Sequence, residues 1–282
     1  MSKYNIPDYH LHTLFSGDCE TPLEDIISSA LDKGLTSMCI TDHNDLELPG
    51  NPHDDDGNPI SFDLDIDSYI PRLLSLKQEV LEKYNFDLRI GVEQGAMPST
   101  CEKLKNYSNE HPELDFIIYS THIVDDMDPY YPEFWEGRDP AKCYLSYFET
   151  TLYNAEHFDD YNVYGHLDYI LRYGPCPKKK DLVDIKPYME IIEAILKAIL
   201  DHGKGIEINT GSLYRGMDYS HPHTEVLKLY KELGGEILTF GSDAHDTVHV
   251  GHAFSEGAEL LLSLGYKYYC TFDKMQPAFH SL

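Results

Sequence analysis

Positive charge is scarce in this 282-residue sequence. It has 22 lysines and arginines against 49 aspartates and glutamates, which gives a formal net charge of −27 at pH 7. A surface this acidic repels the phosphate backbone of nucleic acids, so we expect no DNA or RNA partner. The sequence also lacks an apolar run of bilayer-spanning length and the basic, then apolar, start of a secretory signal. We therefore expect no membrane contact and a cytoplasmic location.

Several common motifs are missing as well. The six cysteines form no Cys-x-x-Cys pair, and a chain of this length without a secretory signal favours reduced, mostly buried thiols over disulfides. No Gly-x-Gly-x-x-Gly follows the first predicted strand and no Walker A loop occurs, which disfavours the nucleotide-binding folds. The absence of a Gly-x-Ser-x-Gly elbow argues against a serine nucleophile.

Short apolar runs alternate with amphipathic segments along the chain. Strands are predicted at 7–11, 36–41, 88–93, 114–120, 162–165, 205–209 and 236–240, with a weaker one at 266–272. Helices are predicted at 21–34, 67–84, 100–110, 140–157, 187–202, 224–233 and 255–264. The first helix carries a capping-box pattern in Thr21, Pro22 and Glu24. This alternation without a linker predicts one α/β domain over 1–282, as a barrel or a doubly wound sheet.

The segment 49–62 interrupts this alternation. It is rich in proline, glycine, asparagine and aspartate, so it is predicted to be a loop. Because it is long for a simple connection, we expect an insertion close to a functional site. Its three consecutive acids, Asp54 to Asp56, lack the spacing and the closing glutamate of a calcium-binding EF-hand, and a solvated loop is the better interpretation.

Residues that commonly bind metals occur where the predicted strands end. In a β/α barrel the loops after the strands meet on one face, so these side chains would converge there. Nitrogen and carboxylate ligands suit Zn²⁺, Mn²⁺ or Fe²⁺ better than Ca²⁺, and no cysteine ends a strand in this set. The first motif places His10 and His12 on one face of a strand, with Asp8 behind them as a residue that orients an imidazole. The other strand-end residues are Asp42, His43, Glu93, His122, His166, Asp243 and His245.

The sequences DYHLHT, ITDHN, GVEQG, STH, YGH and GSDAH, in that order, resemble the signature of the polymerase and histidinol phosphatase (PHP) superfamily. The similarity spans 8–245 and implies a distorted (β/α)₇ barrel with two or three divalent metal ions, Zn, Mn or Fe, at the carboxyl ends of the strands. By position it implies one metal held by His10, His12, Glu93 and Asp243, a second held by Glu93, His122 and His166, and a third held by His43 and His245. Where some relatives have a further histidine, this chain has Asp18, which is either a ligand of the third metal or a turn acid after Gly17.

Neighbouring divalent metals suit the hydrolysis of phosphate esters, in which a bridging hydroxide attacks phosphorus. Arg172 and Arg215 follow predicted strands, so we expect both to bind the phosphate, whereas Arg72 and Arg89 are better interpreted as structural. The basic run Lys178–Lys180 is interpreted as a solvated loop. Three residues are candidates for protonating the leaving group, and the sequence does not choose among them: Asp18, Asp42 and His43.

Within the superfamily, length and overall pattern are most similar to members that hydrolyse L-histidinol phosphate to L-histidinol and phosphate in histidine biosynthesis. Asp45, Glu47 or the loop 49–62 would then contact the cationic end of the substrate. Three alternatives stay open: a phosphoesterase for nucleotides or another small phosphate ester, a non-catalytic metal-binding domain, and a metal-dependent amidohydrolase. The last usually needs a strand-end lysine, which is missing here. The sequence predicts a small-molecule partner and leaves the oligomeric state open.

Overall fold

The structure is a computed structural model that describes residues 4–50, 52–54, 56–175 and 183–282. Some residues named above lie outside these ranges: Asp55, Cys176 and Lys178–Lys180.

A curved parallel sheet forms the centre of the fold. Its strands follow the order β1-β3-β4-β5-β6-β7, and β2 continues β1 along the same edge of β3. The strands are β1 (Ser37–Ile40), β2 (His43–Asn44), β3 (Asp87–Gly95), β4 (Phe116–Ser120), β5 (Val163–Tyr164), β6 (Gly205–Asn209) and β7 (Leu238–Gly241). All neighbours in this sheet are parallel, as the alternation of strands and helices predicts.

The extended segment 8–12 closes the sheet into a barrel. It forms isolated parallel bridges on both sides, Asp8 with Met38 next to β1 and Leu11 with Ala244 just beyond β7. The predicted first strand is therefore an extended chain that bridges the two edges of the sheet. Together with the six strand positions of the sheet it makes seven, and the predicted distorted (β/α)₇ barrel is confirmed.

Helices cover the outside of the barrel. They are α1 (Leu23–Asp32), α2 (Ile66–Tyr84), α3 (Cys101–Leu104), α4 (Tyr107–Glu110), α5 (Pro140–His157), α6 (Met189–Asp201), α7 (Gly211–Tyr214), α8 (Thr224–Glu232) and α9 (Phe254–Ser263). In α6 the residues Ile192, Ile195 and Ile199 share one buried face. Burial of each such side chain stabilises the fold by about 1.5–3 kcal/mol. The apolar spacing of the sequence thus sets which face of the helix packs on the barrel.

Two helix predictions were wrong in detail. The predicted helix 100–110 is two short helices, and Asn106, a residue type that is unfavourable inside helices, lies at the break. The predicted capping box is also absent, because Thr21 donates its hydroxyl hydrogen bond to the carbonyl of His245 at 2.8 Å. Glu24 pairs instead with Arg72 on the surface. Thr21 therefore ties the start of α1 to the loop after β7.

An antiparallel hairpin, β8 (Tyr268–Asp273) with β9 (Gln276–Ser281), follows the barrel. The weak strand prediction at 266–272 is confirmed, but β9 escaped prediction. Its two-residue turn uses Lys274 and Met275 at positive φ, where the usual sequence signal is Asn-Gly. The amide of Met275 donates to the carbonyl of Asp115 at 2.9 Å, so a tertiary contact holds this turn in place.

Asp115 connects α2, β3 and the turn between β8 and β9, and its contribution to stability can be measured. Its buried carboxylate accepts hydrogen bonds from Lys77 Nζ at 2.8 Å and the Ile90 amide at 3.1 Å, and Lys274 Nζ lies at 3.4 Å. Burial alone would raise the pKa of Asp115, but these donors hold it below its usual range. We expect Asp115→Asn to lower the free energy of unfolding by about 1–3 kcal/mol at pH 7.

Because the folded pKa of Asp115 is depressed, this stabilisation is complete above the unfolded pKa and is lost as the pH falls further. Urea unfolding between pH 7 and pH 3 should show the gap between the variant and the unmodified protein shrinking only below about pH 4. The exposed Asp32→Asn is the matched control. A gap that stays constant down to pH 3 would show that the ionised carboxylate is not the source of the stability.

Two predictions from composition can be compared with the structure. The five cysteines within the described ranges are all free thiols. None of the helices described above is both long and apolar enough to cross a bilayer.

Candidate metal centre

The carboxylate of Glu93, near the end of β3, lies among five imidazoles. Three of them converge on Oε2, with His10 Nε2 at 3.0 Å, His43 Nδ1 at 3.2 Å and His12 Nε2 at 3.4 Å. Glu93 is fully buried, and its neighbours along the strand from Ile90 to Gly95 are buried as well. Burial alone would raise its pKa, but the surrounding imidazoles hold the pKa well below its usual range, and the carboxylate is ionised.

The second oxygen of Glu93 faces the neighbouring strands. Oε1 lies 2.9 Å from His166 Nε2 and 3.3 Å from His122 Nε2, and it accepts a hydrogen bond from the Ser120 hydroxyl at 2.6 Å. One carboxylate therefore contacts imidazoles on both sides. This is the arrangement expected of a residue that bridges two metal ions.

A third group lies at the mouth of the site. His12, His43 and His245 bring their ring nitrogens within 4.8 Å of one another, and the rings of His12 and His245 stack at 4.1 Å. Asp18 Oδ2 lies 3.2 Å from His245 Nε2 and 3.7 Å from His43 Nε2. Of the two interpretations of Asp18, this geometry favours the ligand over the turn acid.

Asp243 connects the metal-binding groups to the arginines. Its Oδ1 faces His12 at 3.7 Å and His245 at 3.8 Å, whereas its Oδ2 faces Arg172 at 3.0 Å and Arg215 at 3.6 Å. The residue adopts a left-handed backbone conformation with φ 55°, which costs energy for a non-glycine residue and is typical of functional sites. Burial alone would raise the pKa of Asp243, but the two guanidinium groups hold this pKa well below its usual range.

The hydrogen bonds of the imidazoles fix which nitrogen is available to a metal. The hydroxyl of Ser16 donates to Asp42 at 2.7 Å, so His12 Nδ1, 3.0 Å from the same hydroxyl, must donate its own proton. His12 Nε2 then presents a lone pair towards Glu93. His10 and His122 are arranged in the same way, because their Nδ1 atoms contact carboxylates at 2.6 Å.

Several buried polar atoms of the cluster have no hydrogen-bond partner in the described part of the chain, which is costly unless a cation satisfies them. Lone pairs that face an ionised carboxylate are repelled by it until a proton or a metal ion lies between them. Burial opposes protonation of His10, but Glu207 and Glu93 still raise its pKa well above its ordinary value, and the same negative potential attracts a metal cation. The residues therefore fit a centre with several divalent ions. The unpartnered atoms are His10 Nε2, His12 Nε2, His43 Nδ1, Asp45 Oδ1, Glu93 Oε2, His166 Nδ1 and Asp243 Oδ2.

Asp45, one of the three alternatives for contacting the cationic end of the substrate, lies within this centre. Its Oδ2 lies 2.6 Å from His122 Nδ1, and it forms a possible ligand group with His43 and His122. Gly95 permits this approach, because an added Cβ would lie 2.5 Å from the carboxyl carbon of Asp45. Glu47, the other proposed contact for a cationic substrate, pairs with Lys103 at the surface. Asp45 lines the cavity but is already engaged by His122, whereas Glu47 does not line it.

Glu207, in β6, was missed by the sequence analysis. Its Oε1 lies 2.6 Å from His10 Nδ1, and its Oε2 accepts a hydrogen bond from the amide of His166 at 2.9 Å. It thus orients two candidate ligands at once. The signal was a glutamate in the middle of the short strand GIEIN, between two isoleucines, whereas Glu93 was recognised by its position at the end of a predicted strand. Gly241 leaves room for it, because an added Cβ would lie 2.0 Å from Glu207 Oε1.

Glu207→Gln should weaken metal binding without removing a ligand. The amide keeps the size of the side chain but cannot hold the Nδ1 proton of His10 as a carboxylate does, and changes of such partners typically cost about 10–100-fold in metal affinity. Competition with a chelator measures this affinity, and Glu236→Gln, an exposed acid before β7, is the control. An unchanged affinity in Glu207→Gln would contradict the orienting role.

Two aspartates of the sequence motifs lie behind the centre. Asp42 accepts hydrogen bonds from the amide and hydroxyl of Thr13 at 2.6 and 2.9 Å and from Ser16, so both of its oxygens are occupied and it does not line the cavity. The structure therefore does not bring Asp42 to where it could protonate a leaving group. Asp8 orients no imidazole either, since its main hydrogen bonds come from Ser242 and the amide of Gly251.

A cavity of about 500 Å³ opens onto the centre. Asp18, His43, His122, His166 and His245 line it, and the predicted loop 49–62 lines it through His53, Asp54, Asp56, Ile60 and Phe62. The expectation that this loop lies near the site is therefore confirmed.

Arg172 and Arg215 also line the cavity, as predicted for phosphate-binding residues. The side chain of Arg172 is only 4% exposed, and that of Arg215 is 28% exposed and donates to Tyr214 Oη at 2.7 Å. Asp168, just before the turn that carries Arg172, ties this turn to the next loop through His221 Nδ1 at 2.5 Å. The other arginines pair with acids elsewhere: Arg72 with Glu24, Arg89 with Asp87 and Arg138 with Asp125.

Comparison with known proteins agrees with this geometry. The chain is 28% identical over 270 residues to a histidinol-phosphatase of Lactococcus lactis, covering 95% of each protein, and 27% identical over 261 residues to a probable histidinol-phosphatase of Thermotoga maritima, covering 93% of each. A crystal structure of the histidinol phosphate phosphatase of Lactococcus lactis, complexed with zinc, L-histidinol and phosphate, superposes with a TM-score of 0.80 and 28% identity over 97% of this chain and 99% of that one. The PHP domain family matches residues 8–211. The chain therefore belongs to the PHP domain family.

Proposed function

We propose that this protein is a metal-dependent phosphatase that hydrolyses L-histidinol phosphate to L-histidinol and phosphate, a step of histidine biosynthesis. The observation that carries the proposal is Glu93 with its five imidazoles, which opens onto a cavity that also contains Arg172 and Arg215. The similarity to histidinol-phosphatases over nearly the whole chain supports this substrate.

The proposal assigns two or three divalent ions, zinc, manganese or iron, to the centre. When bound, such ions activate water near neutral pH and neutralise charge on the phosphoryl oxygens. The chain itself holds and orients the ligands, through Glu207 for His10 and Asp45 for His122. The proposed ligands are His10, His12, Glu93 and Asp243 for one ion, Glu93, His122 and His166 for a second, and Asp18, His43 and His245 for a third.

Arg172 and Arg215 are proposed to bind the phosphate. Both guanidinium groups face Asp243 and line the cavity, so a phosphate next to the metals would lie within their reach. For the leaving group, Asp18 and His43 line the cavity, whereas Asp42 does not, and the first two remain the candidate proton donors.

A substrate panel tests the proposal. Protein loaded with zinc or manganese is assayed for phosphate release from L-histidinol phosphate, 4-nitrophenyl phosphate and a 3′,5′-bisphosphonucleotide. We expect kcat/KM to be at least about 100-fold higher for L-histidinol phosphate, since the protein has a dedicated cavity for the leaving group. Strong turnover of the nucleotide without turnover of L-histidinol phosphate would assign the chain to the nucleotide phosphoesterases instead.

A further inference from the structure

We propose that Asp128 is the residue that selects substrates with an ammonium group, by pairing with the amine of the leaving alcohol. The inference rests on the proposed function, which supplies a substrate with phosphate at one end and an ammonium group in its leaving alcohol. It concerns the cavity wall beyond the metal centre, formed by the segment 128–131 and the tyrosines packed against it.

Most other acids that line the cavity are already committed. Asp18, Asp45 and Asp243 contact the imidazoles or arginines of the centre. Asp54 holds its own turn, because its Oδ1 accepts the amide of Asn58 at 2.7 Å and its Oδ2 accepts the Asn58 side chain at 2.8 Å. These carboxylates are therefore not free to recognise a substrate.

Asp128 differs from the two remaining acids, Glu20 and Asp56, because they are exposed to solvent whereas Asp128 is half-buried. One of its oxygens accepts the amide of Tyr130 at 2.8 Å, and no lysine, arginine or histidine of the described chain forms a salt bridge with it. Burial raises the pKa of Asp128 to about 6, since nearby charges do not offset the lost hydration. A cation placed beside Asp128 would favour the ionised carboxylate and compensate for the lost hydration.

The position of Asp128 matches the chemistry of an amino alcohol phosphate. It lines the same cavity as His43 and His122 of the metal centre. In L-histidinol phosphate the ammonium group is borne by the carbon next to the phosphate-bearing CH₂, so it must lie close to the metal centre. The cavity thus contains both arginines and a carboxylate without a basic partner in the described chain, as a substrate with both charges requires.

Aromatic side chains complete this wall. Tyr173 packs edge-on against Tyr130 at 5.5 Å and against Tyr169 at 4.9 Å, and Tyr131 stacks on His53 at 4.8 Å. The hydroxyl of Tyr131 also accepts the amide of His53 at 3.1 Å, which fixes the loop 49–62 to the segment 128–131. Aromatic faces favour both a cation and a flat imidazole ring, so the wall is prepared for the leaving alcohol.

The test compares L-histidinol phosphate with 3-(imidazol-4-yl)propyl phosphate, the same ester without the amine. We expect the unmodified holoenzyme to prefer the amine-bearing ester by about 10–100-fold in kcat/KM, the usual effect of a hydrogen bond to a charged group. Asp128→Asn should remove most of this preference and leave kcat/KM for the amine-free ester within about twofold. Asp126→Asn is the control, because this exposed acid lies in the same loop, does not line the cavity and has a φ of 60° that asparagine tolerates.

Each outcome decides the matter. Loss of the preference in Asp128→Asn, with the Asp126→Asn control unchanged and the melting temperature unaltered, supports the inference. An equal loss for both esters, or no loss for either, overturns it. An unmodified enzyme that hydrolyses both esters equally well also overturns it and leaves the phosphatase function standing. Hydrolysis of neither ester contradicts the proposed function, and the inference falls with it.

Discussion

Glu93→Gln is expected to lower kcat for L-histidinol phosphate at least about 1,000-fold, because a metal centre that stabilises charge contributes several kcal/mol to catalysis. The carboxylate contacts five imidazoles, three through one oxygen and two through the other. Glutamine keeps the size of the side chain but supplies one neutral oxygen where two charged ones are needed.

The metal content of purified Glu93→Gln should fall together with kcat. Metal analysis and phosphate release on the same samples measure both, and Glu236→Gln controls for the loss of one negative charge elsewhere on the chain. If Glu93→Gln kept the full metal content and turned over L-histidinol phosphate at an undiminished rate, the bridging role would be excluded.

The second large effect is expected for Arg172→Met, which should lower kcat/KM about 100–1,000-fold, the usual consequence of removing a group that stabilises developing charge. The guanidinium is almost fully buried, contacts Asp243 Oδ2 at 3.0 Å and lies over the ring of Tyr169 at 5.3 Å. Burial opposes its charge, but Asp243 raises the pKa of Arg172 above its usual range, so it stays positive in the cavity.

Arg89→Met is the matched control for Arg172→Met. Arg89 lies near the start of β3 and pairs with Asp87 and Asp273, away from the cavity. This variant should lose stability and keep its kcat/KM. Inhibition by inorganic phosphate is a second, independent measurement. Arg172→Met should bind phosphate more weakly than the unmodified protein, whereas Arg89→Met should bind it equally well. Equal phosphate inhibition in both variants would contradict the assignment of Arg172.

Sequence reasoning located the metal centre because one rule of the fold applies to it. Ligand-type residues at the ends of parallel strands meet on one face, and His10, Glu93, His122 and His166 do so here. The rule fails for residues whose side-chain direction matters. Consecutive residues of an extended chain point to opposite sides, so Asp42 lies behind the centre while His43 faces it.

Residues that act through other residues were harder to find. Glu207 is recognisable as a charge within an apolar strand, but strand ends were the feature considered. Asp45 was one of three alternatives for the substrate contact because it follows His43, and the structure turns it towards His122. Asp128 has no local pattern at all, and only the packing of two loops brings it to the cavity. Such residues depend on tertiary contacts that sequence periodicity does not encode.

The most direct test of the central claim is a metal titration of stripped enzyme. Protein freed of metal by a chelator is titrated with zinc or manganese while bound ions per chain and phosphate release from L-histidinol phosphate are measured together. We expect no hydrolysis without metal and full activity only after more than one ion is bound per chain. Undiminished hydrolysis by the metal-free protein, or full activity with a single bound ion, would contradict this expectation.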